Sequence, residues 1–292
     1  KAARALANLD LLVVRDLFHT ETTELADYVL PAASFLERTE LHVYSHHQWL
    51  SLSRQVLEFP GVVDEYSFWR ELAHRLGFGE RYFPWGSEAE VNRWLLEPTG
   101  INVEQLEQHP EGLQYKPVRY CKQKGEPLPT PSGKFEFSSR YLQDLGYPAL
   151  PEYRAPHGLR TRSDHFPLLL ITGARKKVLL HSRYRNIPRF RKLHPEAEVE
   201  IHPADAARLA IRDRQPVRVS SQVGHIVVKA RIVAEDEIRP GVLQVTHGWE
   251  KEANVNRLTL DAVTDPVSGF PQLTSIPVRI APFEKGDEDP GG

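Results

Sequence analysis

Leu11-Leu12-Val13-Val14 is an apolar run of strand length, and the polar pair Arg15-Asp16 ends it. This is the pattern of a short buried parallel strand. Ligands of open α/β sheets gather beyond the carboxyl ends of such strands, which puts Asp16, Phe18, His19 and Thr20 to Thr23 in a contact zone. Tyr28 to Pro31 reads as a second strand, with one helical turn over Glu24 to Asp27 between the two. From Asp64 the period changes: Phe68, Trp69, Leu72, Ala73 and Leu76 share a helical face, and Gly77 stands where the helix stops. A second helix opens on Ser87-Glu88-Ala89-Glu90, read as a capping box ahead of Val91, Trp94 and Leu95, and ends at Pro98 and Gly100.

Residues 108–165 lose this periodicity and become rich in proline, glycine and charge, which predicts a connecting arm after an α/β region over 1–107. Within the arm, Pro131 to Phe137 reads as a turn entering a short strand, because phenylalanines two apart share a face. Over 166–284 the pattern is strand-dominated. Ile226, Val228, Ala230, Ile232 and Ala234 alternate with polar neighbours, and Gln222-Val223-Gly224 turns that strand back toward Val217 to Val219. Pro203 to Ala210 is predicted as a short helix and Val242 to Thr246 as another strand, so the region is most simply a closed β-barrel, with 285–292 as a tail.

Lysine and arginine total 37 against 39 acidic residues, a net charge of -2, so no general attraction draws the chain to nucleic acid or an anionic membrane. The longest apolar stretches fall far short of the ~20 residues that span a bilayer. The single cysteine, Cys121, excludes an internal disulfide and any iron–sulfur cluster held by this chain alone. The sequence starts at Lys1 and contains no methionine, and it is read as a piece of a longer product.

Two stretches resemble the molybdopterin oxidoreductase superfamily, which includes formate dehydrogenases, nitrate reductases and polysulfide reductases. Val13 to Ala33, with Thr20-Glu21-Thr22-Thr23 and Ala26-Asp27-Tyr28-Val29-Leu30-Pro31-Ala32, is similar to the strand, threonine-rich loop and closing segment of its Rossmann-like domain. Further on, Thr172-Gly173-Ala174-Arg175, His181-Ser182-Arg183, His247-Gly248-Trp249 and Asn254-Val255-Asn256 occur in the order seen in its dinucleotide-binding domain, a double-psi β-barrel. The resemblance therefore implies the end of a Rossmann-like α/β domain over 1–107 and a molybdopterin dinucleotide-binding double-psi β-barrel over 166–284.

The same resemblance implies a molybdopterin guanine dinucleotide with molybdenum or tungsten, met by Thr172, Gly173, Arg175, His181, Ser182, Arg183, Trp249, Asn254 and Asn256, with Asp16, Thr20 and Thr22 near a nucleotide base. These residue types suit such a ligand: Gly173 admits backbone amides to a phosphate, Arg175 can donate a bidentate pair, and Asn256 offers a donor and an acceptor. No residue here corresponds to the protein ligand of the metal, and no catalytic residue is assigned. A four-iron four-sulfur cluster and the metal's ligand are expected in the N-terminal part of the same enzyme, and the expected partner is an iron–sulfur electron-transfer subunit. Tyr184-Arg185-Asn186-Ile187-Pro188 after His181-Ser182 leans toward the polysulfide reductase, thiosulfate reductase and acetylene hydratase branch of a prokaryotic family. The alternative is a double-psi barrel that binds a partner without a redox cofactor.

Three other groupings bear on chemistry. Arg175, Lys176, Lys177, Arg183, Arg185, Arg189, Arg191 and Lys192 place eight positive charges in eighteen residues, enough to hold a pyrophosphate or to form a solvated loop. His42 and His46 would share one face if that stretch were helical, but the apolar neighbours and the lack of a His-Glu-x-x-His pattern favour a structural role. Asp261 and Asp265 read as turn residues rather than an acid pair, because Thr264 to Gly269 is turn-forming.

Overall fold

A computed structural model describes residues 2–44, 46–121, 124–173, 176–262 and 264–284. They fall into two units divided between Leu150 and Pro151. No helix among the described residues is long and apolar enough to cross a membrane.

In the first unit, β1 (Val13–Asp16) and β2 (Tyr28–Pro31) form a parallel pair with Val13 opposite Tyr28. The first strand starts two residues later than the apolar run predicts. Leu12 is occupied by the turn: its N–H donates to the Asp27 carboxylate at 2.7 Å, and its carbonyl accepts from the Asp27 and Tyr28 amides. Arg15 ties this pair to the next helix: it donates to the Val63 carbonyl at 2.6 Å, meets Glu65 at 3.0 Å, and lies 4.2 Å from the Phe68 ring centre.

That helix, Glu65–Arg75, is capped by the Asp64 carboxylate, which accepts from the Ser67 amide, and it stops at Gly77 with φ +83°. Helix Glu88–Leu96 begins as expected, yet only half of its box forms. The Ser87 hydroxyl accepts the Glu90 amide, whereas the Glu90 carboxylate accepts from Gly86 at 2.9 Å instead of from Ser87. The reciprocal box lies at Asn102 and Gln105, opening helix Val103–Gln108. Helices Glu88–Leu96 and Val103–Gln108 share a small core with an antiparallel sheet of β3 (Glu40–Val43), β4 (Trp49–Ser53) and β5 (Leu113–Gln114), burying Leu50, Leu96 and Leu106.

His42 is thus a strand residue, bonded through Nε2 to the Ser53 hydroxyl at 2.6 Å, and the helical spacing to His46 does not exist. His46 and His47 pack around the Tyr44 ring. The strand predicted at Phe135 and Phe137 is also absent: both rings are exposed and meet edge to face with centres 5.1 Å apart. Without a partner strand, alternation alone has nothing to pair with.

The second unit is a closed six-stranded double-psi barrel, as the sequence predicts. In barrel order the strands are β10 (Val242–Val245), β6 (Leu168–Ile171), β11 (Ile276–Pro282), β8 (Pro216–Ser220), β9 (His225–Ile232) and β7 (Glu198–Ile201). β6 with β10 and β7 with β9 are parallel, and the other neighbours are antiparallel. Alternation on β7, β8 and β9 turns Val199, Ile201, Val217, Val219, Ile226, Val228 and Ala230 inward. The alternation predicted to run to Ala234 breaks at Val233, which is buried while Ala234 is exposed, because the Ile232 amide leaves the ladder to donate to Asp213 at 2.8 Å. Helix Pro203–Arg208 is shorter than predicted, since Ala210 takes φ +53°, and the His202 ring caps it by accepting the Ala204 amide.

Candidate functional site

Because β6 and β10 run in parallel, with Ile171 opposite Gln244, their carboxyl ends leave the barrel side by side. The loops that follow, at 172–185 and 246–253, come from opposite ends of the barrel sequence and interlock there. Thr172 is 1% exposed, and both its amide and its hydroxyl donate to the Leu273 carbonyl, at 3.0 and 2.8 Å. Its own carbonyl faces His247 Nδ1 at 2.9 Å, and His247 Nε2 is hydrogen-bonded to His181 Nδ1.

The two loops are held in this register by backbone contact. Gly248 has φ +95°, and a Cβ there would lie 2.5 Å from the His181 carbonyl oxygen and 2.9 Å from the Ser182 amide nitrogen. Leu180 and His181 themselves adopt φ +39° and +66°, which carries the chain over that glycine. Arg185 closes the lock: it is 9% exposed, donates to the Gly248 carbonyl at 2.5 Å, and meets the Glu250 carboxylate at 3.1 Å.

Around this lock the expected site residues take different stations. Gly173 is exposed, with open space where a side chain would stand, and His181, Ser182 and Arg183 are exposed in succession. Arg175 lies outside the described residues. Trp249 is 7% exposed and belongs to the barrel core, with the Arg191 guanidinium 4.8 Å from its ring centre. The Asn254 side chain accepts the Asn256 amide at 3.1 Å, and Asn256 is exposed on a turn whose Arg257 carbonyl abuts Gly224 of the β8–β9 hairpin.

In the first unit, the Asp16 carboxylate accepts the Phe18 amide at 3.1 Å. Thr20 and the buried Thr23 bond to each other three ways, and Thr22 is exposed. His247 stands in the His247-Gly248-Trp249 motif that carries the resemblance but is not among the residues expected to meet the ligand. Its signal is there nonetheless, since a histidine directly after a predicted strand stands at the ligand-bearing end of a parallel pair.

The basic cluster is divided between structure and surface. Lys176 meets Glu200 at 3.1 Å, Arg185 meets Glu250, and Arg191 lies on Trp249, while Lys177, Arg183, Arg189 and Lys192 are exposed. Glu200 also accepts from Arg231 at 2.6 Å and from the Gln244 amide, so it anchors the loop after β6 to the wall of the barrel. Burial pushes the Glu200 carboxyl upward, but the bonds from Arg231 and Lys176 outweigh it and hold the group below its ordinary value of 4.5.

A carboxyl depressed in the folded state contributes stability above its unfolded pKa and loses it as the pH falls through the folded value. Glu200→Gln is therefore expected to lower stability by about 2 kcal/mol at neutral pH. It should also flatten the loss of stability below the ordinary value of 4.5, as urea titrations across that range will show. Asp265 is likewise held low, by hydrogen bonds from Ser268 and Val267 that make it the head of a turn.

Comparison with known proteins places this geometry among relatives. Residues 168–277 match the Molydopterin dinucleotide binding domain model, and residues 1–75 match the Molybdopterin oxidoreductase model. Acetylene hydratase of Syntrophotalea acetylenica is 32% identical over 256 residues, covering 85% of this chain and 34% of the relative. The catalytic chain of a putative dimethyl sulfoxide reductase of Halobacterium salinarum is 31% identical over 259 residues, covering 84% and 30%. The solved structure of acetylene hydratase from Pelobacter acetylenicus superimposes with a TM-score of 0.84 at 28% identity, covering 97% of this chain and 42% of that one. The chain spans about a third of the length of the curated relatives it matches.

Proposed function

Because the chain belongs to the molybdopterin oxidoreductase family, we propose that it forms the C-terminal part of a molybdenum or tungsten enzyme and holds a pterin guanine dinucleotide on the loops that leave β6 and β10. The interlock of those two loops at one end of the barrel carries the reading. It fits the ligand in its donor set: an exposed glycine where backbone can approach a phosphate, then histidine, serine and arginine side chains at the surface, backed by a buried frame. In this reading the α/β part covers 1–107, a connecting arm 108–165 and the dinucleotide-binding barrel 166–284.

Thr172 serves through its carbonyl, Gly173 through its backbone, and His181, Ser182, Arg183 and Arg175 through donors to the pterin or its phosphates. Asn254 and Asn256 offer amides on the neighbouring turn, Trp249 supports the loop from below, and Asp16, Thr20 and Thr22 of the first unit meet a nucleotide base. When bound, the group supplies the redox centre, for oxygen or sulfur atom transfer or for hydride acceptance. The protein's part is to orient it and to shift its potential by hydrogen bonding. One cysteine cannot hold a cluster, so the iron–sulfur centre that takes the electrons belongs to protein outside this chain.

The test is to equilibrate the chain with pterin guanine dinucleotide released from a molybdenum enzyme. Binding is expected, and Arg175→Ala should weaken it about tenfold or more, the range for a charge-assisted bond. The same preparation should turn over neither formate, thiosulfate nor nitrate with a viologen dye. Failure to bind the pterin would leave a barrel that recognises some other partner, and turnover by this chain alone would refute the division of labour.

A further inference from the structure

We propose that the first unit carries a binding site of its own, a cleft that takes a small organic cation with an aromatic or other apolar body. The cleft has a volume of about 620 Å³, within the ~300–1,000 Å³ of small-molecule sites. It is lined from β3, β4 and the helices Glu65–Arg75 and Glu88–Leu96, with Leu41, Leu50, Val91 and Leu96 as its aliphatic wall. Tyr66, Trp69 and Phe83 add aromatic rings, two of them held from behind. The Tyr66 hydroxyl donates to the Trp85 carbonyl at 2.8 Å, and Trp69 Nε1 donates to the Glu65 carboxylate at 3.0 Å. The volume exceeds what one inserted side chain fills, which favours a free molecule over a residue of another polypeptide.

An apolar wall alone accepts any greasy group, and the selection comes from charge. Glu40, Glu65 and Glu88 line the cleft, whereas no lysine, arginine or histidine among the described residues does so. Glu40 is paired with Arg38 and Glu65 with Arg15, both at 3.0 Å. Glu88 makes neither a hydrogen bond nor an ion pair among the described residues. Burial, then Asp64 and Glu40, push its carboxyl above the ordinary 4.5 against the opposing pull of Arg38. A cation seated beside Glu88 supplies the counter-charge that the protein leaves out.

Asn92 is an independent mark of a ligand. It is 7% exposed and lines the cleft from within its helix, yet its carboxamide makes no hydrogen bond among the described residues. Burying an amide unpaired costs stability, so buried amides are nearly always bonded. Glu88 and Asn92 stand one helical turn apart on the same face, close enough for one ammonium group to donate to both. The apolar body of the ligand then lies against Trp69 and Phe83, whose ring faces also attract positive charge.

The experiment titrates the 292-residue chain with 2-phenylethylammonium, 2-phenylethanol and 3-phenylpropionate, which share a body and differ in the head, and follows the protein by NMR. The ammonium should bind saturably with a Kd on the order of 1 mM or tighter, the alcohol about tenfold more weakly and the acid not at all. Glu88→Gln should abolish the preference for ammonium over alcohol. Asn92→Leu replaces an unpaired buried amide with hydrocarbon, so its thermal midpoint should stay level or rise while ammonium binding weakens about tenfold.

Equal affinity for the three probes, no saturable binding of the ammonium, or undiminished binding by Asn92→Leu would each overturn the inference. A lowered midpoint for Asn92→Leu would also overturn it, by making Asn92 a part of the fold rather than of a site. The pterin reading stands whatever the outcome, because none of the cleft residues belongs to that site.

Discussion

Gly248→Ala is expected to cost the barrel about 2–4 kcal/mol, the sum of a left-handed backbone strain and an overpacked contact that only backbone can relieve. The reason is the position of the new methyl group, 2.5 Å from the His181 carbonyl oxygen, in a residue with φ +95°. No flexible side chain can move aside, so the two loops must separate, and with them the His181–His247 bond. Thermal unfolding should show a transition lowered by roughly 10 °C, and binding of pterin guanine dinucleotide should fall with it. Gly173→Ala is the control: it meets nothing within 4 Å, and its stability should change by less than about 0.5 kcal/mol. Equal stability of the two variants would contradict the interlock of the loops.

Arg185→Ala should be comparably severe, at about 2–4 kcal/mol. The guanidinium is buried, and its removal strands the Gly248 carbonyl and leaves Glu250 without its counter-charge. Arg185→Lys should recover little, because an ammonium cannot reach a carbonyl and a carboxylate with the spacing of a planar fork. A cycle with Glu250→Gln should return a coupling of about 1–2 kcal/mol in urea melts. A coupling near zero would mean that the bond to Gly248 alone holds the loop.

Much of this was legible in the sequence where a single strand or helix carries its own signal. Tyr28 to Pro31 is a strand as written, and the inward residues of β9 are those that alternation picks out as far as Ala230. Asp64 caps its helix and Gly77 stops it, because both act on adjacent backbone. What failed depended on distant partners. Phe135 and Phe137 alternate without a neighbouring strand, and the Glu90 side chain found Gly86 nearer than Ser87.

The site shows the same division. Gly173, His181 and Ser182 could be named from order along the chain, whereas His247 matters only because parallel pairing sets it beside Thr172, 75 residues away. Trp249 illustrates the converse, a residue named for a ligand whose ring lies within the barrel core.

The strand order also bears on how the protein is made. β6 finds its hydrogen-bonding partners in β10 and β11, the last two strands of the barrel to be synthesised, whereas β7, β8 and β9 can pair among themselves beforehand. At roughly 5–20 residues per second, Leu168 and Leu170 wait on the order of ten seconds for Ile276 and Val278 to arrive. During that interval a greasy, unpaired edge stands open on the nascent chain, and it closes only when translation has passed Pro282.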